Sequence, residues 1–229
     1  WTVYAERRII EALEGPQAAA QAATLARGRL ESVIAERHQA GRSTALVYPQ
    51  TGLDPDDEFS LIPYEKGFLL LTAIERAVGR HRFDPFIRAY IDQFAFSTLT
   101  TDDFVAVLTR HLPDHGVDLD AWIRGDGLPD DAPHFPSPRL DELLRNGLDA
   151  RPTGVAECLY LLARRPPQDR AQAMAYAEAM GLLQTTNAEL RSAWLVAATG
   201  AGIDVREAAE AFLSEVGRTK LVLPVVRAM

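Results

Sequence analysis

Helix-type periodicity runs through this chain from end to end, and no convincing strand-type alternation interrupts it. Apolar residues return at three- and four-residue spacing, segment after segment, and Gly or Pro closes most segments. Thr2 to Leu13 reads as a helix with Val3, Ile9, Ile10 and Leu13 as its apolar positions, broken by Gly15-Pro16. Gln17 to Ala40 is a long Ala-rich helix closed by Gly41. Pro63 starts a helix that runs to Val78 and stops at Gly79. The next is expected from about Asp84 to Gln93, with Pro85 in the first turn, where its missing N–H costs nothing. Thr100 or Thr101 caps another, and Asp118 opens a short one. Between Leu46 and Phe59 nothing is periodic. Pro49, Gly52, Asp54-Pro55-Asp56 and acids through Glu58 mark a loop there, of a length that is often functional.

The stretch from Asp126 to Pro138 holds Gly127, Pro129, Pro133, Pro136 and Pro138, which is a linker composition. A domain boundary near residue 130 is the expectation. Beyond it short helices follow one another: Leu140 to Asn146, Thr153 to Ala163, Gln168 to Met180, Ala188 to Ala198 and Val205 to Glu215. Serial helices with tight turns suggest paired stacking of the HEAT or armadillo kind, although no strict repeat is visible. The fold class is therefore all-α.

At 229 residues and 47% hydrophobic content the chain can bury a real core. Its net charge of -8 argues against nucleic acid and against an anionic membrane surface as partners. Cys158 is the only cysteine, so no intrachain disulfide or cysteine-based metal site can form. That fits a reducing, cytoplasmic setting, although many periplasmic proteins also lack disulfides. Cys158, Trp122 and Trp194 sit among apolar neighbours and read as core. His111 and His115 have ligand-like spacing, but Pro113 lies between them and no third ligand is near. Position 1 is Trp rather than Met, which suggests a chain cut from something longer.

Three segments together resemble one family. Trp1-Thr2-Val3-Tyr4-Ala5-Glu6-Arg7 looks like the helix that follows the Asn-Glu-Gly of gluzincin aminopeptidases, peptidase family M1. Gly52-Leu53-Asp54-Pro55-Asp56, then Ile62-Pro63-Tyr64-Glu65-Lys66-Gly67, resembles the active-site loop and tyrosine of leukotriene A4 hydrolase. Gly217-Arg218-Thr219-Lys220, with Pro224 beyond, resembles that family's carboxylate-binding stretch. Thr100-Thr101-Asp102-Asp103-Phe104 and Gly127-Leu128-Pro129 fit in the same order. The resemblance implies that residues 1–130 are the C-terminal part of a thermolysin-like peptidase domain. It implies that residues 131–229 are the helical-repeat domain beside it.

The family's zinc is held by two histidines of His-Glu-x-x-His and by the glutamate of Asn-Glu-Gly. Neither motif occurs in these 229 residues. The implied reading is part of a zinc aminopeptidase acting on short peptides, with the zinc ligands on a missing N-terminal part and none here. By itself such a chain is expected to be inactive.

The resemblance also assigns roles. Tyr64 becomes the donor that stabilises the oxyanion of peptide hydrolysis, since a phenol can donate to an oxygen that gains charge. Glu6 becomes a support for the zinc site, orienting a ligand histidine. Asp56 faces the substrate pocket. Arg218 and Lys220 grip the carboxylate of a short peptide, Arg bidentately and Lys as a point charge. Each has a plainer alternative: a packed tyrosine, an exposed helix acid, a solvated acidic run, two surface cations. Phe59 stands where animal leukotriene A4 hydrolases carry tyrosine, which weakens any inference to the lipid epoxide reaction. The rival function is a non-catalytic helical scaffold that binds a protein partner.

Overall fold

A computed structural model describes residues 1–54 and 58–229. The described residues are helices and connecting turns with no strand, so the chain is all-α as its periodicity implies. It divides into two compact units, Trp1–Pro136 and Ser137–Met229. No described helix is long and apolar enough to cross a membrane.

The first unit contains α1 (Thr2–Glu14), α2 (Pro16–Gln39), α3 (Ile62–Val78), α4 (Arg80–Phe94), α5 (Thr101–His111) and α6 (Leu119–Ile123). Gly15 separates α1 from α2 at φ 92, a conformation that a side chain with Cβ would resist. α1 and α2 pack on each other and both pack on α3. α3 is the centre of the unit. Phe68, Leu69, Leu70, Leu71 and Ile74 are all buried, so it is covered on nearly every side. Around it sit Leu30, Phe83, Phe86, Leu108 and the fully buried Trp122. Thr100 caps α5 in a capping box with Asp103, each satisfying the other's backbone N–H. The segment before Pro136 lies on this unit. Phe135 stacks on Phe68 at 5.5 Å, and Arg76 Nη2 donates to the His134 carbonyl at 2.9 Å.

The structure departs from the sequence reading in α4 and α1. α4 begins at Arg80, so Pro85 lies inside the helix and not in its first turn. Gly79, at φ 79, lets the chain turn from α3 into α4 without a spare residue. Pro85 and His81 both lie on the exposed side, where water can satisfy the carbonyl that the proline leaves without a donor. The apolar stripe of α1 also differs. Ile9 and Leu13 are exposed, and the helix buries Tyr4 and Arg7 instead. A polar network sets that rotation. Arg8 donates to Asp84 at 2.9 and 3.1 Å, Tyr4 donates to Glu75, and Arg80 bridges Glu11 and Glu75.

The second unit contains α7 (Pro138–Asn146), a 3-10 turn (Gly147–Ala150), α8 (Gly154–Arg164), α9 (Arg170–Ala179), α10 (Ala188–Gly200), α11 (Arg206–Glu215) and α12 (Thr219–Ala228). Ser137 caps α7 and Pro138 takes its first position, so that helix starts two residues before the sequence suggested. α10 is the hub, with α8, α9, α11 and α12 all packing against it. Cys158, Leu161, Ala173 and Trp194 form one core, and Leu195, Ala209, Phe212 and Val225 a second.

Candidate functional site

The first turn of α3 fixes where Tyr64 points. Ile62, Glu65, Lys66 and Leu69 occupy positions i, i+3, i+4 and i+7, and all four are buried. That inward face leaves Tyr64 on the outside, 47% exposed. Pro63 stands beside it in the first turn, with no N–H to satisfy. The Tyr64 ring meets Phe59 edge-on, with centroids 6.0 Å apart at 68°. Phe59 is itself 75% exposed.

Lys66 locks that turn from within. Its side chain is fully buried, and its amine donates to the carbonyls of Thr44 at 3.1 Å and Gly125 at 2.7 Å. Burial pushes the amine down to about 8, and nearby Asp126 pulls it partly back. Asp126 accepts from the Thr44 N–H at 2.6 Å and the Ser43 hydroxyl at 2.9 Å. The Gly127 N–H closes the knot on Thr44 Oγ1 at 2.7 Å. The one local mark of burial at Lys66 is its place four residues after Ile62, on the inward face of the helix.

Glu6 lies on α1, 56% exposed in its side chain, and accepts from Arg7 Nη1 at 2.7 Å. Arg7 is buried, with its Nη2 3.8 Å from Glu65 Oε1 and its guanidinium 5.8 Å from the centre of the Phe68 ring. Burial pushes the Glu65 carboxyl up, while the charge of Arg7 opposes that. Arg7 Nε and Glu65 Oε2 are buried without a hydrogen-bond partner. Glu6 and the turn carrying Tyr64 are thus tied through one guanidinium. Among the described residues, Arg7 is the hydrogen-bond partner recorded for Glu6, and it is not a histidine.

Asp56 lies outside the described residues. Glu58, read in the sequence as the end of a solvated acidic run, is a correction: its side chain is only 7% exposed. Arg37 and Tyr48 both donate to its Oε2, and Arg42 lies 3.6 Å from Oε1. A carboxylate is buried at tolerable cost only with such partners, and these are distant in sequence.

Arg218 and Lys220 belong to the second unit, at the start of α12, and both are exposed. Among the described residues the Arg218 guanidinium has no hydrogen-bond or ion-pair partner. Lys220 Nζ meets Glu189 Oε1 at 2.8 Å, an exposed pair of the kind worth about 0–1 kcal/mol, which a ligand carboxylate can displace.

No three His, Cys, Asp or Glu side chains among the described residues are grouped to hold a metal ion. They do not fit a zinc centre of their own. His115 Nδ1 accepts from the Val117 N–H at 3.0 Å, which gives that ring a structural use.

Comparison with known proteins decides the family. Residues 1–122 match the peptidase family M1 domain. The chain belongs to peptidase family M1. Leucine aminopeptidase 2 of Pyricularia oryzae is 31% identical over 257 residues, covering all of this chain and 42% of that protein. Leucine aminopeptidase 2 of Saccharomyces cerevisiae is 39% identical over 142 residues, covering 59% of this chain and 21% of that protein. The structure of yeast leukotriene A4 hydrolase in complex with bestatin superposes with a TM-score of 0.85 at 27% identity. It covers all of this chain and 44% of that one. The chain thus spans less than half the length of these M1 relatives.

Proposed function

We propose that this chain is part of a zinc aminopeptidase that releases N-terminal residues from short peptides, and that Tyr64 is its transition-state donor. The supporting observation is a family M1 chain in which the first turn of α3 turns Tyr64 outward while anchoring it from below. Water attack on a peptide carbonyl builds negative charge on the oxygen. A hydroxyl fixed in advance gains more from that charge than from the neutral carbonyl. The first unit then corresponds to the C-terminal part of the thermolysin-like domain, and the second to the helical-repeat domain.

In this proposal Asp56 faces the substrate, and Glu6 supports the metal site through a residue outside the chain. Arg218 and Lys220 receive the peptide's terminal carboxylate, which would favour tripeptide-like substrates over long chains. The leucine aminopeptidase relatives support the reaction class. The zinc ligands are placed outside these 229 residues, because neither zinc-binding motif occurs in them.

The test is direct. The purified 229-residue chain, dialysed against zinc, is expected to hold well under one equivalent by metal analysis. It is expected to leave an aminoacyl chromogenic substrate intact. Stoichiometric zinc together with turnover would refute the placement of the ligands elsewhere.

A further inference from the structure

The entrance and exit of the acidic loop before α3 are gathered onto the end of α2 by one part-buried cluster. Arg37, in the last turn of α2, donates Nε to the Ser43 carbonyl at 2.9 Å. Its Nη2 reaches both the Tyr48 hydroxyl, at 3.3 Å, and Glu58. Tyr48 completes the triangle by donating to Glu58. The Glu58 N–H donates back to the Asp54 carbonyl at 3.2 Å. Chain on both sides of the loop is therefore fixed to a single guanidinium, with the carboxylate drawn inward.

The next residue is Phe59. With Glu58 held in, the Phe59 side chain points out, where an apolar ring has no burial to hold it. Its described aromatic contact is the edge of Tyr64. The position of that exposed ring thus depends on the backbone at residue 58, and the ring in turn limits the rotamers open to Tyr64.

We propose that Glu58 is a positioning residue of the candidate site. Clamped by Arg37 and Tyr48, it sets Phe59 against Tyr64 and so restricts the phenol to one orientation. The catalytic consequence rests on the function proposed above for Tyr64. The mechanical claim does not.

The experiment therefore has two arms. In the 229-residue chain with labelled aromatic rings, Glu58→Ala is expected to abolish the nuclear Overhauser contact between Phe59 and Tyr64 and to broaden the Tyr64 ring signals. Amides near Lys66 are expected to keep their exchange protection. Should Glu58→Ala fail to fold, Tyr48→Phe removes one donor and should weaken the same contact, while Glu58→Gln, which keeps an acceptor, should largely restore it. An intact contact and unchanged Tyr64 signals in a folded Glu58→Ala or Tyr48→Phe chain would overturn the proposal.

In the complete aminopeptidase, Glu58→Ala is expected to lower kcat by about tenfold to a hundredfold with little change in KM, as loss of alignment does. Adding it to Tyr64→Phe should cost almost nothing further, because both act on the same hydroxyl. Additive losses would overturn the coupling. If Tyr64→Phe leaves kcat intact, the proposed function fails while the ring contact still tests the clamp.

Discussion

Under the proposed function, Tyr64→Phe is expected to lower kcat of the complete enzyme about 100- to 1000-fold, with KM nearly unchanged. The substitution removes one oxygen and keeps the ring. The edge contact with Phe59 and the buried face of α3 should therefore survive, and the loss cannot be assigned to misfolding. A donor that meets the oxygen only as it gains charge lowers the barrier without tightening substrate, so the loss belongs in kcat. Steady-state kinetics on a short peptide at saturating and subsaturating concentration separates the two constants. A tyrosine that merely packs at a helix start would leave both alone.

Lys66→Met is expected to destabilise the first unit by about 2–4 kcal/mol at neutral pH, because the Thr44 and Gly125 carbonyls lose their buried donor. The pH dependence follows from the lowered amine. In the unfolded chain Lys66 keeps its proton up to about 10.4, whereas the folded chain releases it near 8. Between those values the unfolded state binds more protons, so wild-type stability rises with pH, by up to about 3 kcal/mol from this group. Below pH 8 that gain is absent and the buried charge stands at full cost. The neutral amine still donates, so the gap between wild type and Lys66→Met should widen from pH 7 to pH 10. Urea melts of the pair at both pH values measure it, and tyrosine titration cancels in the difference. A gap that narrows would mean the amine is not buried as described.

The fold was legible because helix periodicity is local. Gly15, Gly41 and Gly79 stop helices where the sequence says they should, and α3 was readable from Phe68, Leu69 and Ile74 alone. Where reading failed, a distant partner decided. The rotation of α1 is set by Asp84 and Glu75, some seventy residues away, which is why Ile9 and Leu13 face outward. Pro85 looked like a helix start because its own preference says so, but Gly79 had already turned the chain. The role proposed for Tyr64 rests on the motif around it. No such motif points to the two inward-turned charges near it. Lys66 and Glu58 carry charges that local composition places in water, and only Thr44, Gly125, Arg37 and Tyr48 bring them inside.

One measurement bears most directly on the oxyanion role proposed for Tyr64: the affinity of wild type and Tyr64→Phe for a phosphinic peptide that mimics the tetrahedral intermediate. The expected result is a loss of affinity equal to the loss in kcat/KM, with affinity for the free product amino acid unchanged. Unchanged affinity for the mimic, alongside reduced turnover, would contradict the assignment of the phenol to the transition state.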